Sequence, residues 1–138
     1  MRFGFGKSDI TPRVGVELHG FGPFLQRRSV AVREPLFARA MAIGDGDATA
    51  IVVSCDLIGV TSSLTDRIRA IVAERAGVGP ERVMVHCTHT HSGPSTGGSY
   101  GWGEPDPPYL EILPGRIAAA CRQAVESLSE ATLRSEEH

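Results

Sequence analysis

The residues best able to do chemistry stand together in His86-Cys87-Thr88-His89-Thr90-His91-Ser92-Gly93-Pro94. Imidazole nitrogens bind borderline divalent metals, zinc above all, and they exchange protons near neutral pH. Side chains alternate along extended backbone, so an H-x-H pair turns both rings the same way. On that spacing His89 and His91 can hold one ion between them. A catalytic zinc takes three protein ligands and keeps a position for water. Asp56, in Ser54-Cys55-Asp56-Leu57, is the candidate third ligand, or a carboxylate that orients a histidine N–H. Asp56 and His91 are the candidate catalytic residues. His86 alternates to the opposite side and reads as a hydrogen-bonded core histidine. Cys87 reads as a small buried apolar residue more than as a soft ligand.

The run Gly93-Pro94-Ser95-Thr96-Gly97-Gly98-Ser99 reads as a pocket wall lined by backbone. Gly93, Pro94 and Ser95, with Gly20, are the candidate substrate-pocket residues. The run could cradle an anion, yet it lacks the lysine of a phosphate loop. His19, in Leu18-His19-Gly20-Phe21-Gly22, is either loop structure or pocket wall. Tyr100 and Trp102 read as anchors of the loop, and Arg27, Arg28 and Arg33 as solvated charges.

Several elements must position these groups. Phe3 and Phe5 alternate with small residues in a strand over 2–10, stopped by Thr11-Pro12. A long loop over 14–34 holds glycines and arginines, with a short strand expected at Gly15–Leu18. Leu36–Ile43 and Thr49–Cys55 flank Gly44-Asp45-Gly46-Asp47, the signature of a hairpin. Thr61-Ser62-Ser63 offers N-cap hydroxyls, with Asp66 spaced for a capping box from Ser63. Leu64, Ile68, Ile71 and Val72 fall on one helical face, and Gly77 closes that helix. Residues 82–87 form a buried-type strand. A second helix over 109–128 is expected to kink or restart at Pro114-Gly115. Strand, helix and strand over 49–87 make a βαβ unit, whose parallel strands end on one edge. Asp56 and the histidines are therefore expected to converge at the carboxyl edge of the sheet, where open α/β sheets bind ligands.

The expected fold is α/β: a mixed sheet with a β-hairpin and a βαβ unit, and helices packed on it. The 138 residues suit a single domain, 1–138. Ala131-Thr132-Leu133-Arg134 begins what reads as a further strand, so this domain is expected to be part of a larger one. A formal net charge of -2 leaves no basic footprint for nucleic acid. No apolar run approaches a membrane span. Three cysteines at scattered spacing argue against a disulfide framework, and the opening residues hold no apolar leader segment. Together these point to the cytoplasm.

Thr88-His89-Thr90-His91-Ser92-Gly93-Pro94 resembles the N-terminal catalytic region of the neutral/alkaline, non-lysosomal ceramidases. Gly4-Phe5-Gly6-Lys7-Ser8-Asp9-Ile10-Thr11-Pro12 resembles that family's opening motif. Gly20-Phe21-Gly22, Pro35-Leu36-Phe37-Ala38-Arg39-Ala40 and Ser54-Cys55-Asp56-Leu57 resemble further pieces in the same order. The resemblance implies a zinc-dependent amidase that splits ceramide, or a smaller N-acyl amide, into an amine and a fatty acid. It makes His89 a zinc ligand and sets His91 beside the metal, assisting the tetrahedral intermediate or proton transfer. It implies that another His, a Glu and a Tyr come from later in a longer chain. The alternative is a non-catalytic fragment or interaction module. Such a module would form a homo-oligomer, or pair with a second chain that completes the site, through a free sheet edge near Ala131–Arg134.

Overall fold

Gly46 takes φ 56°, a conformation strained for a side chain, and so closes a tight hairpin between two β-rich runs. These runs are β2 (Phe37–Asp45) and β3 (Ala48–Cys55). The computed structural model describes residues 1–134. Around the hairpin lie β1 (Arg2–Asp9), α1 (Ser62–Ala76), β4 (Val83–Cys87), α2 (Pro107–Glu126) and β5 (Ser129–Glu130). They form one mixed five-stranded sheet in the order β4-β3-β2-β1-β5. β1, β2 and β3 are antiparallel neighbours, while β3 and β4 pair in parallel from Ile51↔Val83 to Cys55↔Cys87. β3, α1 and β4 are thus the expected βαβ unit. The expected strand at Gly15–Leu18 is reduced to single bridges, Glu17 to Arg28 and Leu18 to Pro94.

Helix ends follow local chemistry. Thr61 caps α1 by accepting from the Leu64 amide, and Gly77 ends it at φ 68°. The capping box from Ser63 to Asp66 is not formed, because the cap lies two residues earlier. α2 starts at Pro107, earlier than expected. Asp106 caps it through the Tyr109 amide and also pairs with Arg13 at 2.6 Å. Pro114 does not restart it as a second element; α2 runs through. Leu113, Pro114 and Ile117 are all fully buried there, so packing outweighs the one backbone bond that proline removes. The last strand lies at Ser129–Glu130, not over 131–134. α2 stops at Glu126, so the chain reaches the β1 edge sooner, pairing Glu130 with Arg2. Among the described residues no helix is long and apolar enough to cross a membrane.

Both helices use one face of the sheet, and small residues decide how close they come. Gly4 and Gly6 on β1 sit beside Ala42 and Ala40 on β2, forming a floor without bulk. A methyl at Gly4 would overlap the Ala124 carbonyl of α2, and one at Gly6 the Ala120 carbonyl. Ala120, Cys121 and Ala124 complete this small-on-small contact, and Ile51, Val53, Leu64, Ile68 and Val72 fill the core beside it. The Tyr109 hydroxyl donates to the Ile10 carbonyl at 2.7 Å, pinning the end of β1 to α2. The phenylalanines of β1 turn away from the helices, and Phe5 is 67% exposed. His86 is on the same open face, so it is not a core histidine; it meets Ser54 Oγ at 3.1 Å across the parallel pair. Cys55 and Cys121 are buried as expected, and burial pushes the Cys121 thiol up to about 12. Cys87 is half-buried against the core.

Gly6→Ala is expected to cost about 1–3 kcal/mol in urea unfolding, since backbone and not a yielding side chain blocks the new methyl. Phe5→Ser on the open face should stay within about 0.5 kcal/mol. The Arg13 guanidinium, and next the Tyr109 amide, hold the Asp106 carboxyl below its ordinary 3.8. A depressed carboxylate stabilises the fold above that value and loses its effect as pH falls through its lower folded value. Asp106→Ala should therefore melt at a lower temperature at pH 7, with the gap closing as acid is added below pH 3.8. Asp106→Asn, which keeps a capping acceptor, should lose less.

Candidate functional site: a histidine cleft at the sheet edge

Beyond Cys87 the chain keeps following the strand it paired with. The Thr88 amide donates to the Cys55 carbonyl and the His89 amide to the Leu57 carbonyl, each at 3.0 Å. His89 then takes φ 62°, so the expected extended continuation fails at this residue. Left-handed backbone is costly for a histidine and persists where surrounding contacts enforce it. The alternation of side chains survives the bend. Thr88, Thr90 and Ser92 line one cavity, and His89 and His91 line another. The two imidazoles face each other edge to face, with ring centres 5.0 Å apart. The common direction expected of the two rings holds, by a different backbone route.

His89 is oriented from behind. Its Nδ1 lies 2.7 Å from the Ile58 carbonyl, which can only accept, so Nδ1 carries the hydrogen. In the neutral ring that leaves the Nε2 lone pair free, the arrangement of a metal-binding imidazole. His91 is placed by the loop at 19–27. The Arg27 guanidinium donates to the carbonyls of His91 at 3.1 Å, His19 at 3.2 Å and Gly20 at 3.4 Å. Gly20 takes φ 108°, and a Cβ there would lie 2.7 Å from the Cβ of His91. Phe21 meets the His91 ring edge-on at 5.5 Å, and Arg27 stacks 4.7 Å over Phe21.

His19 joins the same cleft. It is 9% exposed, its amide donates to the Gly93 carbonyl at 3.1 Å, and its ring leans on Trp102 at 5.9 Å. Its Nδ1 has no hydrogen-bond partner among the described residues. Burial first, then the nearby His91 and His89, lower its pKa below 6.5, so the ring is neutral at pH 7. The cleft encloses about 680 Å³ between the three histidines, Trp102, Ile58 and Gly98.

The other expected site residues stand elsewhere. The Asp56 carboxylate accepts from the Phe37 amide at 2.9 Å and pairs with Arg39 at 2.8 Å. It lines the cavity of about 590 Å³ on the threonine side, so Asp56 does not converge with the histidines. Pro94 lines that same cavity and bridges to Leu18. Ser95 is buried, with its hydroxyl donating to the Gly103 carbonyl at 2.7 Å. Gly93 is buried behind His19, and Gly20 against His91. These four support the loops; the cleft wall falls later, at Gly97, Gly98 and Ser99. Arg27 is half-buried and spent on carbonyls, and Arg28 pairs with Glu17 at 2.8 Å, so neither is merely solvated. Trp102 lines the cleft as well as holding its loop. The donor chemistry fits a borderline metal, yet among the described residues no three His, Cys, Asp or Glu side chains are grouped to hold an ion. His89 and His91 are a partial set.

The sequence profile of the neutral/alkaline non-lysosomal ceramidase family, N-terminal part, matches residues 1–136. The chain belongs to this family. Its fold is similar to the crystal structure of neutral ceramidase from Pseudomonas aeruginosa, at a TM-score of 0.78 and 27% identity over 92% of this chain. A structure of ceramidase complexed with C2 matches equally, with a TM-score of 0.78, 27% identity and 92% coverage. The chain spans 22% and 21% of those two structures. No curated protein sequence matches. In this chain, the glycines at 4 and 6 are explained by the backbone of α2 lying against β1. Those of Gly20-Phe21-Gly22 are explained in part by the collision that a side chain at Gly20 would make with His91.

Nitrogen-15 spectra of the histidine rings at pH 8 should find His89 protonated at Nδ1, and His19 neutral. Protonation of His89 at Nε2 instead would remove it as a ligand. Arg27→Ala should shift the ring signals of His19 and His91 and leave His86, on the open sheet face, unmoved.

Proposed function

We propose that the histidine cleft is the N-terminal share of a zinc-dependent amidase centre acting on the amide bond of an N-acyl lipid. The observation that carries this reading is the pair of facing imidazoles, one fixed at Nδ1 by the Ile58 carbonyl so that its Nε2 is free. Membership of the ceramidase family supports the substrate class, and so does the similarity to a neutral ceramidase structure. His89 would hold the zinc through Nε2. His91, beside it, would hold and move the proton. Bound zinc supplies Lewis acidity, which activates water and polarises an amide carbonyl.

Amide hydrolysis adds water across the C–N bond: the acyl carbon gains hydroxyl and the leaving nitrogen gains a proton. A ring nitrogen of His91 delivers that proton to the nitrogen as the bond breaks. Arg27 and Gly20 keep His91 facing the cleft, and His19, neutral and buried, contributes an uncharged wall. Trp102 and Ile58 supply apolar surface for an acyl chain. Asp56, held by Arg39, has no part in these steps.

The partial donor set favours one further reading, in which the remaining ligands come from another segment or a second chain. The test is zinc affinity by equilibrium dialysis. His89→Ala should weaken binding by at least about tenfold, and His86→Ala should not change it. Equal zinc uptake by His89→Ala and the unaltered chain would end the proposal. Light scattering that finds a complex, with chelator-sensitive release of fatty acid from an N-acyl amide only in that complex, would establish the two-chain form.

A further inference from the structure

Two loops at the mouth of the cleft carry apolar rings that the fold leaves in solvent. Tyr100 is 89% exposed, Phe21 68% and Phe24 66%, with Leu25 beside them also more exposed than buried. The loops are stitched together: the Phe24 amide donates to the Gly101 carbonyl, and Phe24 packs edge-to-face on Tyr100 at 5.7 Å. Phe21, Phe24 and Gln26 all have positive φ, at 65°, 60° and 48°. Left-handed backbone is unfavourable for aromatic residues, so the outward rings are held in place and not left where a relaxed loop would drop them.

The residues of the patch itself carry no charge; Glu17, paired with Arg28, and Glu104 line the small cavity beside Phe24 and Tyr100, and Arg27 stacks on Phe21. Residues 20–26 read Gly-Phe-Gly-Pro-Phe-Leu-Gln and residues 98–103 read Gly-Ser-Tyr-Gly-Trp-Gly. The arginines that follow are engaged, Arg27 on three carbonyls and Arg28 on Glu17. Exposed Phe and Tyr rings that carry no charge of their own match a lipid–water interface, where aromatic side chains sit at headgroup level. The patch is continuous with the cleft, since Phe21 touches His91 and Trp102 touches His19.

We propose that Phe21, Phe24, Leu25 and Tyr100 form a docking surface for a neutral or zwitterionic lipid–water interface, seating the mouth of the histidine cleft on the membrane or micelle that holds the substrate. The proposal extends the reading of the cleft as a lipid amide site, but its test needs neither metal nor turnover.

Trp102 is the only tryptophan and stands behind the patch, so it reports on docking directly. The metal-free chain, in chelator, is titrated with phosphatidylcholine vesicles, with and without bromine on the upper acyl chains. Trp102 emission should shift to the blue, brominated lipid should quench it, and added salt or phosphatidylserine should change little. Tyr100→Ser, at the most exposed position, and Phe24→Ser should each lower the partition coefficient by about tenfold with unchanged thermal unfolding. Phe5→Ser, on the open sheet face, should not alter it. An absent shift and absent quenching in the unaltered chain would overturn the proposal. So would loss of binding in Phe5→Ser alone, or binding that needs anionic lipid and vanishes in salt. A dimer in sedimentation velocity that Phe24→Ser dissolves would overturn it in favour of a second copy of the chain. Vesicle binding alongside zinc uptake indifferent to His89 would sink the amidase reading and leave this one standing.

Discussion

The parallel ladder between β3 and β4 is the contact on which the site rests, because it does not stop where the strands stop. Its register runs from Ile51↔Val83 to Cys55↔Cys87, and the next amides, of Thr88 and His89, bond to the Cys55 and Leu57 carbonyls. His89 therefore arrives beside Ile58, whose carbonyl takes the ring hydrogen. A parallel pair needs a crossover, and α1 supplies it, packed through Leu64, Ile68 and Val72 onto the same face of the sheet. A slip of one residue in that ladder would exchange threonines for histidines on the cleft side.

A second layer of control comes from the far side of the chain. The loop over 14–34 has almost no regular structure, yet Arg27 fastens it to the histidine segment through three carbonyls. One guanidinium nitrogen, Nη2, reaches all three oxygens, and the guanidinium carbon sits 4.7 Å over the Phe21 ring. Gly20 permits the approach, since any side chain there would strike His91. The segment from Thr88 to Ser92 thus divides two cavities, one with imidazoles and the other with hydroxyls, Arg39 and Asp56.

The chain belongs to the ceramidase family, spans about a fifth of the related solved structures, and holds two facing imidazoles, one of them oriented, in a partly apolar cleft. Cys55 and Cys121 lie in the core, where burial pushes both thiols upward and keeps them protonated.

Local patterns were legible from the residues alone. Gly46 announced the hairpin, Thr61 and Gly77 the ends of α1, and the spacing of His89 and His91 their common direction, because propensity, capping and alternation act over a few residues. What needed the tertiary structure was every choice among distant partners. Asp56 faced two possibilities, and the Phe37 amide and Arg39 on the neighbouring strand took it before the histidines could. His86 went to solvent because both helices chose the other face, where glycines and alanines let them approach. His19 and Arg27 lie more than sixty residues from His91 in sequence, and nothing in their own neighbours says which carbonyls they will meet. Spacing sets the direction of a side chain, and only packing sets what stands opposite it.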